Sequence, residues 1–390
     1  MTQFCTSCGT QLSDGAVFCH KCGSRIELVK GVPTAFPRED IEAPTTSAAP
    51  FAPVPEYRPI HKRPRALGVG VGILLLLIVP IILIAVFGSI NFVILGTLNF
   101  EYESLAITDV DLIVDNDVGT IDILYDEDIT NLFEADLVVR GRPGADIADA
   151  KNFGVYNQTL SNMVISFDSG TYQFFFWNKK AFTYDITIRI NPVAEVDFNV
   201  DADTGTVTFT TNSIDNITIG DLILTSDTGR LDVDLYGSTN TQIDEFDLDT
   251  DTGRIEVDLG KNTTLTDPVV DITTDTGRVY LRSEDLISST STIWNIDSDT
   301  GGITLDIIQN YVSPSAYQAT FNVETSTGSI TVNFSFNASI GYSFDASTDT
   351  GSITLPGPGD YYESLNHDIA TNVYDFILDT NTGSVTAQEI

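Results

Sequence analysis

The sequence predicts a mainly β protein, and three observations lead to that class. Gly205, Gly229, Gly253, Gly277 and Gly301 follow one another at intervals of 24 residues. Each lies in a segment such as "DTDTGRIEVDL", where Thr, Ile, Val and Asp alternate and no long helical period is present. A fixed period of this size marks a repeat architecture. The expectation is a repetitive β-solenoid of about 24 residues per rung over residues 99–390, preceded by a small cysteine ribbon and one transmembrane helix.

The first element is residues 1–26, which hold all four cysteines of the chain. They read "FCTSCGTQLSDGAVFCHKCG": Cys5 and Cys8 form one CxxCG knuckle, Cys19 and Cys22 a second, with ten residues between. Each tight turn directs two thiolates at one ion, the pattern of tetrahedral zinc, and Phe4, Leu12 and Phe18 are too small a core to fold without metal. His20 is read as a solvent-facing spacer. Two disulfides are the competing account, disfavoured on a cytosolic side. The segment resembles the short N-terminal zinc ribbons of many prokaryotic membrane proteins. That resemblance implies Cys5, Cys8, Cys19 and Cys22 as ligands of a structural zinc and a ribbon used for protein interaction.

Residues 27–65 scatter prolines among Ala, Thr and Ser, the composition of an extended cytoplasmic tether. Residues 66–98 follow. No charged residue occurs from Ala66 to Phe100, and the run exceeds the roughly 20 apolar residues that span a bilayer. Pro80 is expected to kink it. Lys62, Arg63 and Arg65 precede it and the next basic residue is Arg140, so the N-terminus is predicted to be cytoplasmic and the remainder extracellular.

In residues 99–390 each period reads strand, turn, strand, loop. Phe246 and Leu248 before the turn, then Ile255, Val257 and Leu259 after it, form an inward stripe because alternate strand residues face opposite sides. Neighbouring periods would cover one another's stripe. "NDVGTIDIL" around Gly119 is expected to begin the stack, and residues 131–192 to elaborate it. Asp or Asn is expected to close each turn with its side chain, and Gly to supply a positive φ. Together with "YDITIRINP", these rungs resemble the adhesin-like "toast-rack" domains of bacteria and archaea, which implies the fold and leaves function open.

Charge and motifs bound the chemistry. The net charge is −36, with eight Lys/Arg against six Asp/Glu in residues 1–66 but eleven against forty-nine in residues 101–390. Such a field repels nucleic acid and favours cations or basic partners. Asp251-Thr252-Gly253 has the form of an aspartic-protease triplet, yet comparable turns recur in line and the acid is replaced at Ser326 and Asn381. Calcium is the other candidate cofactor, through Asp247, Asp249 and Asp251 on one outward face, although the glycine-rich nonapeptide of calcium β-rolls is missing. Five sequons, at Asn157, Asn216, Asn262, Asn333 and Asn337, fit an external location. "YQFFFWNKKAF" is read as a hairpin with Trp177 and Lys179 near its tip.

The expected protein is therefore no enzyme. It is a single-pass protein of a prokaryotic plasma membrane that presents an acidic β-solenoid at the cell surface for binding, adhesion or scaffolding, with an unidentified protein or glycan as ligand. The alternative is a transmembrane envelope sensor signalling through the ribbon to a cytoplasmic partner, and a glycan-active enzyme ranks third.

Overall fold

The computed structural model describes residues 3–4, 11–12, 92–102, 109–150, 155–158, 162–168, 182–288 and 291–390. Cys5, Cys8, Cys19 and Cys22, the tether 27–65, residues 66–91 of the expected span, Trp177 and Lys179 lie outside them. Contacts divide the chain into residues 1–70 and 71–390. In the first unit the described residues are an antiparallel pair, Gln3–Phe4 with Gln11–Leu12, which brackets the first knuckle in sequence.

The expected helix does not reach residue 98. Val93–Tyr102 is a strand, paired antiparallel with Phe133–Gly141. The physical reason is composition: "VILGTLNFEY" combines β-branched Val93, Ile94 and Thr97 with aromatic Phe100 and Tyr102 and alternates in burial, so an apolar end that reads as membrane helix is satisfied as a sheet strand. Among the described residues no helix is long and apolar enough to cross a membrane.

The second unit is mainly β, and its periods pair parallel and in register. Gly119 stands opposite Gly205, Gly205 opposite Gly229, Gly229 opposite Gly253, and Gly253 opposite Gly277. The strands that carry these glycines are Asp109–Tyr125, Glu195–Thr210, Thr218–Asp234, Gln242–Leu259 and Val269–Glu284. Further on, each period is two strands separated at the turn, as in Thr292–Thr300 with Ile303–Gln309 and Tyr317–Thr327 with Ile330–Phe336. Register is fixed because a slip of one residue would turn the apolar stripe outward.

The stripe expected from the alternation is the core. Ile255, Val257 and Leu259 are fully buried, as are Leu231, Val233 and Leu235 below them and Val279 and Leu281 above. On the pre-turn strands one inward column runs Phe246, Val270, Trp294, Phe321, Phe376 and Phe344. Its rings stack: Trp294 on Phe321 at 5.3 Å, Phe321 on Phe376 at 4.9 Å and Phe376 on Phe344 at 4.8 Å.

The order of rungs departs from the order of the chain at its end. Asn372–Thr382 pairs on one side with Tyr317–Thr327 and on the other with Gly341–Thr350. Val385–Glu389 likewise pairs with both Ile330–Phe336 and Ile353–Thr354. The last rung in sequence is thus inserted beneath the one before it. Tyr361–Glu363 then lies antiparallel along Gly341–Thr350 and covers part of the edge that rung leaves. At the opposite end, Asp109–Tyr125 is flanked by Asn162–Asp168 and Phe182–Ile190. Phe182–Ile190 continues antiparallel into Phe133–Gly141, the elaboration expected for residues 131–192.

Candidate functional site

The expected positive φ is found at Gly119, Gly205 and Gly383 but not at the other repeated turns. The φ of Gly253 lies outside the left-handed range. Glycine is required there because a Cβ would overlap the carbonyl oxygen of Gly229 on the neighbouring rung, and the same overlap recurs from turn to turn along the stack. Asp251 does not close the turn: its side chain is exposed and makes no hydrogen bond. At four other turns the closing group is the Ser or Thr in the position equivalent to Thr250. Thr250 and Ser298 are buried, and Ser298, Thr325, Thr380 and Thr348 each donate to a glycine carbonyl of the adjacent rung at 3.0–3.3 Å. Ser226, Thr250 and Thr274 are buried with no hydrogen-bond partner. Recurrence of Ser or Thr directly before the acid was the available signal, but a hydroxyl in that place reads as surface. One solvated acid per rung, repeated along a line, is not a paired-aspartate centre.

Acids are distributed asymmetrically about the turns. The pre-turn strands Glu195–Thr204, 218–228, 242–252, 269–276, 292–300, 317–327, 341–350 and 372–382 contain no Lys or Arg. Along one outward column Asp201, Thr225, Asp249, Thr273, Asp297 and Glu324 stand in register. Hydroxyls between acids relieve some repulsion: Thr225 donates to Asp201 at 2.8 Å and Thr273 to Asp249 at 2.6 Å. Beside this column Asp247 faces Asp271, and burial, then the charges of Asp271 and Asp249, push the Asp247 carboxyl up. The arginines Arg230, Arg254, Arg278 and Arg282 all follow the turns. There Arg230 pairs with Asp232 at 2.8 Å and also with Glu256, and Arg254 with Glu256 at 2.8 Å. Calcium coordination by Asp247, Asp249 and Asp251 gains no support: Asp249 is taken by Thr273, and among the described residues the one metal-capable cluster lies elsewhere.

That cluster sits on the segment covering the C-terminal rungs. Glu363 ends the Tyr361–Glu363 strand, and His367 and Asp368 lie on the short turn His367–Ile369. His367 Nε2 is 2.8 Å from Asp375 Oδ1 on the inserted strand. Asp375 is itself held by Ser343 Oγ at 2.5 Å and Gln318 Nε2 at 2.8 Å. Burial would lower the imidazole's proton affinity, but the bond to Asp375 and the carboxylates of Asp375, Asp368 and Glu363 outweigh it and the net direction is upward. For Asp375 burial acts to raise the pKa, and the bonds from Ser343, His367 and Gln318 hold it below the usual carboxylate range. Next to this cap a half-open groove of about 290 Å³ is lined by Phe336, Tyr342, Tyr362, Asn337 and Asn366, among others.

Four sequon asparagines are tied into the fold: Asn216 accepts from Asn240 at 3.2 Å and Asn262 donates to Asn240 at 3.5 Å. Asn333 donates to Asp306 at 2.6 Å and accepts from Gln388 at 2.7 Å, and Asn337 donates to the Asn310 carbonyl at 3.1 Å.

Fold and motif together define the class: a protein with an N-terminal zinc ribbon and a large, acidic, mainly β domain. Residues 4–26 match the family model of the zinc-ribbon domain. No curated protein matches the chain. Among solved structures, similar chains include a candidate cell adhesion protein from Clostridium sporogenes at 12% identity, covering 76% of this chain and 99% of that one with a TM-score of 0.27. A candidate adhesin from Bacteroides fragilis is 12% identical over 75% and 97%, TM-score 0.26. A candidate lipid-binding protein from Parabacteroides distasonis is 11% identical over 74% and 96%, TM-score 0.31.

Proposed function

We propose that the chain is a single-pass membrane protein that displays an acidic β-solenoid outside the cell as a binding or scaffolding surface, with Cys5, Cys8, Cys19 and Cys22 holding a structural zinc in the cytoplasm. The observation that carries the reading is the cation-free pre-turn wall, where acids repeat from rung to rung while every arginine of the rungs is set behind the turns. A surface of that kind attracts a basic partner by long-range steering and adds contacts in proportion to the length engaged. The aromatic groove beside the cap suits stacking on a sugar ring, so a glycan ligand can share the surface. Residues 66–91 supply the membrane anchor in this reading, and the basic flank Lys62–Arg65 sets its direction.

Protease added to intact cells tests the arrangement. The reading expects loss of the acidic domain with the ribbon protected, and the reverse pattern would overturn it. Binding is tested separately with a lysine-rich peptide: affinity should fall steeply with salt, and replacing Asp201 and Asp249 with Asn should weaken it more than replacing Asp232 and Asp234 with Asn. An equal effect from both sets would remove the pre-turn wall as the binding face.

A further inference from the structure

We infer that Glu363, His367 and Asp368 form a binding site for a divalent transition-metal ion of the zinc class at the C-terminal cap. One ligand atom from each, a carboxylate oxygen or His367 Nδ1, lies within 4.8 Å of the other two. His367 Nδ1 is 3.5 Å from Glu363 Oε1 and 3.6 Å from Asp368 Oδ1. These separations are too long for good hydrogen bonds, and Nδ1 is buried without a hydrogen-bond partner. They suit a tetrahedral ion: bonds of roughly 2.0–2.1 Å at the tetrahedral angle put ligand atoms about 3.4 Å apart.

A second, independent feature points the same way. Asp375 accepts from His367 Nε2, and Asp375 is fixed in turn by Ser343 and Gln318. A carboxylate on the far ring nitrogen sets the tautomer that leaves the other nitrogen's lone pair free, and this is the usual outer support of a metal-bound imidazole. Donor types choose the ion. An imidazole nitrogen with two carboxylate oxygens suits zinc and its neighbours in the transition series, whereas calcium takes oxygen alone. Three protein ligands leave a fourth position for water or for a group brought by a partner.

The site joins separate parts of the fold. Glu363 belongs to the strand along the edge of Gly341–Thr350, His367 and Asp368 to the turn that follows, and Asp375 to the inserted strand. A bound ion would clip the cap over the last rungs.

The experiment uses the full-length chain in detergent with its ribbon intact, equilibrated with zinc and freed of excess. The parent should retain one more zinc ion per chain than Glu363→Gln or Asp368→Asn, and zinc should raise the melting temperature of the β domain in the parent but not in these variants. Both substitutions sit on exposed side chains, so folding is expected to persist; circular dichroism checks it. In the cobalt-loaded parent a weak visible band characteristic of nitrogen and oxygen ligands should accompany the thiolate absorption of the ribbon and vanish in Asp368→Asn. Equal zinc content in the parent and both variants would overturn the inference, as would a zinc-induced rise in melting temperature that survives in them. The comparison is by difference, so it holds whether or not the ribbon itself retains metal.

Discussion

Each turn contains three residues with separable physical jobs, as at Thr250, Asp251 and Gly253. Gly253 lies against the Gly229 carbonyl, so Gly253→Ala inserts a methyl where backbone already stands and should cost roughly 1–3 kcal/mol by urea unfolding. Asp251→Ala removes a solvated carboxylate with no bond to lose, and should fall within about 0.5 kcal/mol of the parent. The hydroxyls divide by position. Thr380 donates to Gly328 at 3.0 Å, and Thr380→Val should cost on the order of 1 kcal/mol. Thr250 is buried without a partner, so Thr250→Val should be neutral or stabilising. If Asp251→Ala proved the costliest of the four, the steric account of the turn would fail.

At the scale of elements, the aromatic column gathers Trp294, Phe321, Phe376 and Phe344, all fully buried. Phe376 stacks between Phe321 and Phe344, and Phe376→Ala should cost about 3–5 kcal/mol in thermal or urea unfolding. The stripe of Ile255, Val257 and Leu259 was legible in the sequence because alternation follows directly from strand geometry. The period was legible because each rung needs the same glycine. Residues 93–98 were not, since a short apolar run satisfies a bilayer and a sheet equally well. Nor was the swap of the last two rungs: Gly351 and Gly383 occupy equivalent turns, and nothing local tells which neighbour each will meet. The cluster at the cap escaped for another reason. His367 is the one histidine of residues 101–390, and its meaning depends on Asp375, Ser343 and Gln318, which only the folded chain brings beside it.

For the whole molecule a recurring cost is carboxylates partly desolvated against the sheet and set beside one another at strand spacing. Asp221, Glu245, Asp247 and Asp297 are pushed above the usual carboxylate range, first by burial and then by neighbouring acids. A raised folded-state pKa means that the folded chain binds the proton more tightly than the unfolded chain. Stability should therefore rise as pH falls from neutral through those raised values, levelling off at the ordinary carboxylate pKa, while Asp375, held low, opposes the trend only below that range. Melting temperatures should be higher at about pH 5 than at about pH 7, and added salt should narrow the gap by screening. A melting temperature that falls between about pH 7 and about pH 5 would contradict this. The inserted rung has a consequence in time. A chain made from its N-terminus can lay rung upon rung in synthesis order as far as Ile330–Phe336, but the next rung made, Gly341–Thr354, is not the one that belongs there. Direct docking of that segment would be an error to be undone, so growth must wait, with an unpaired parallel edge, until residues 372–389 have been delivered. Maturation of this domain thus waits on residues 372–389, and a ribosome halted just short of residue 372 would hold a stack that cannot add its next rung.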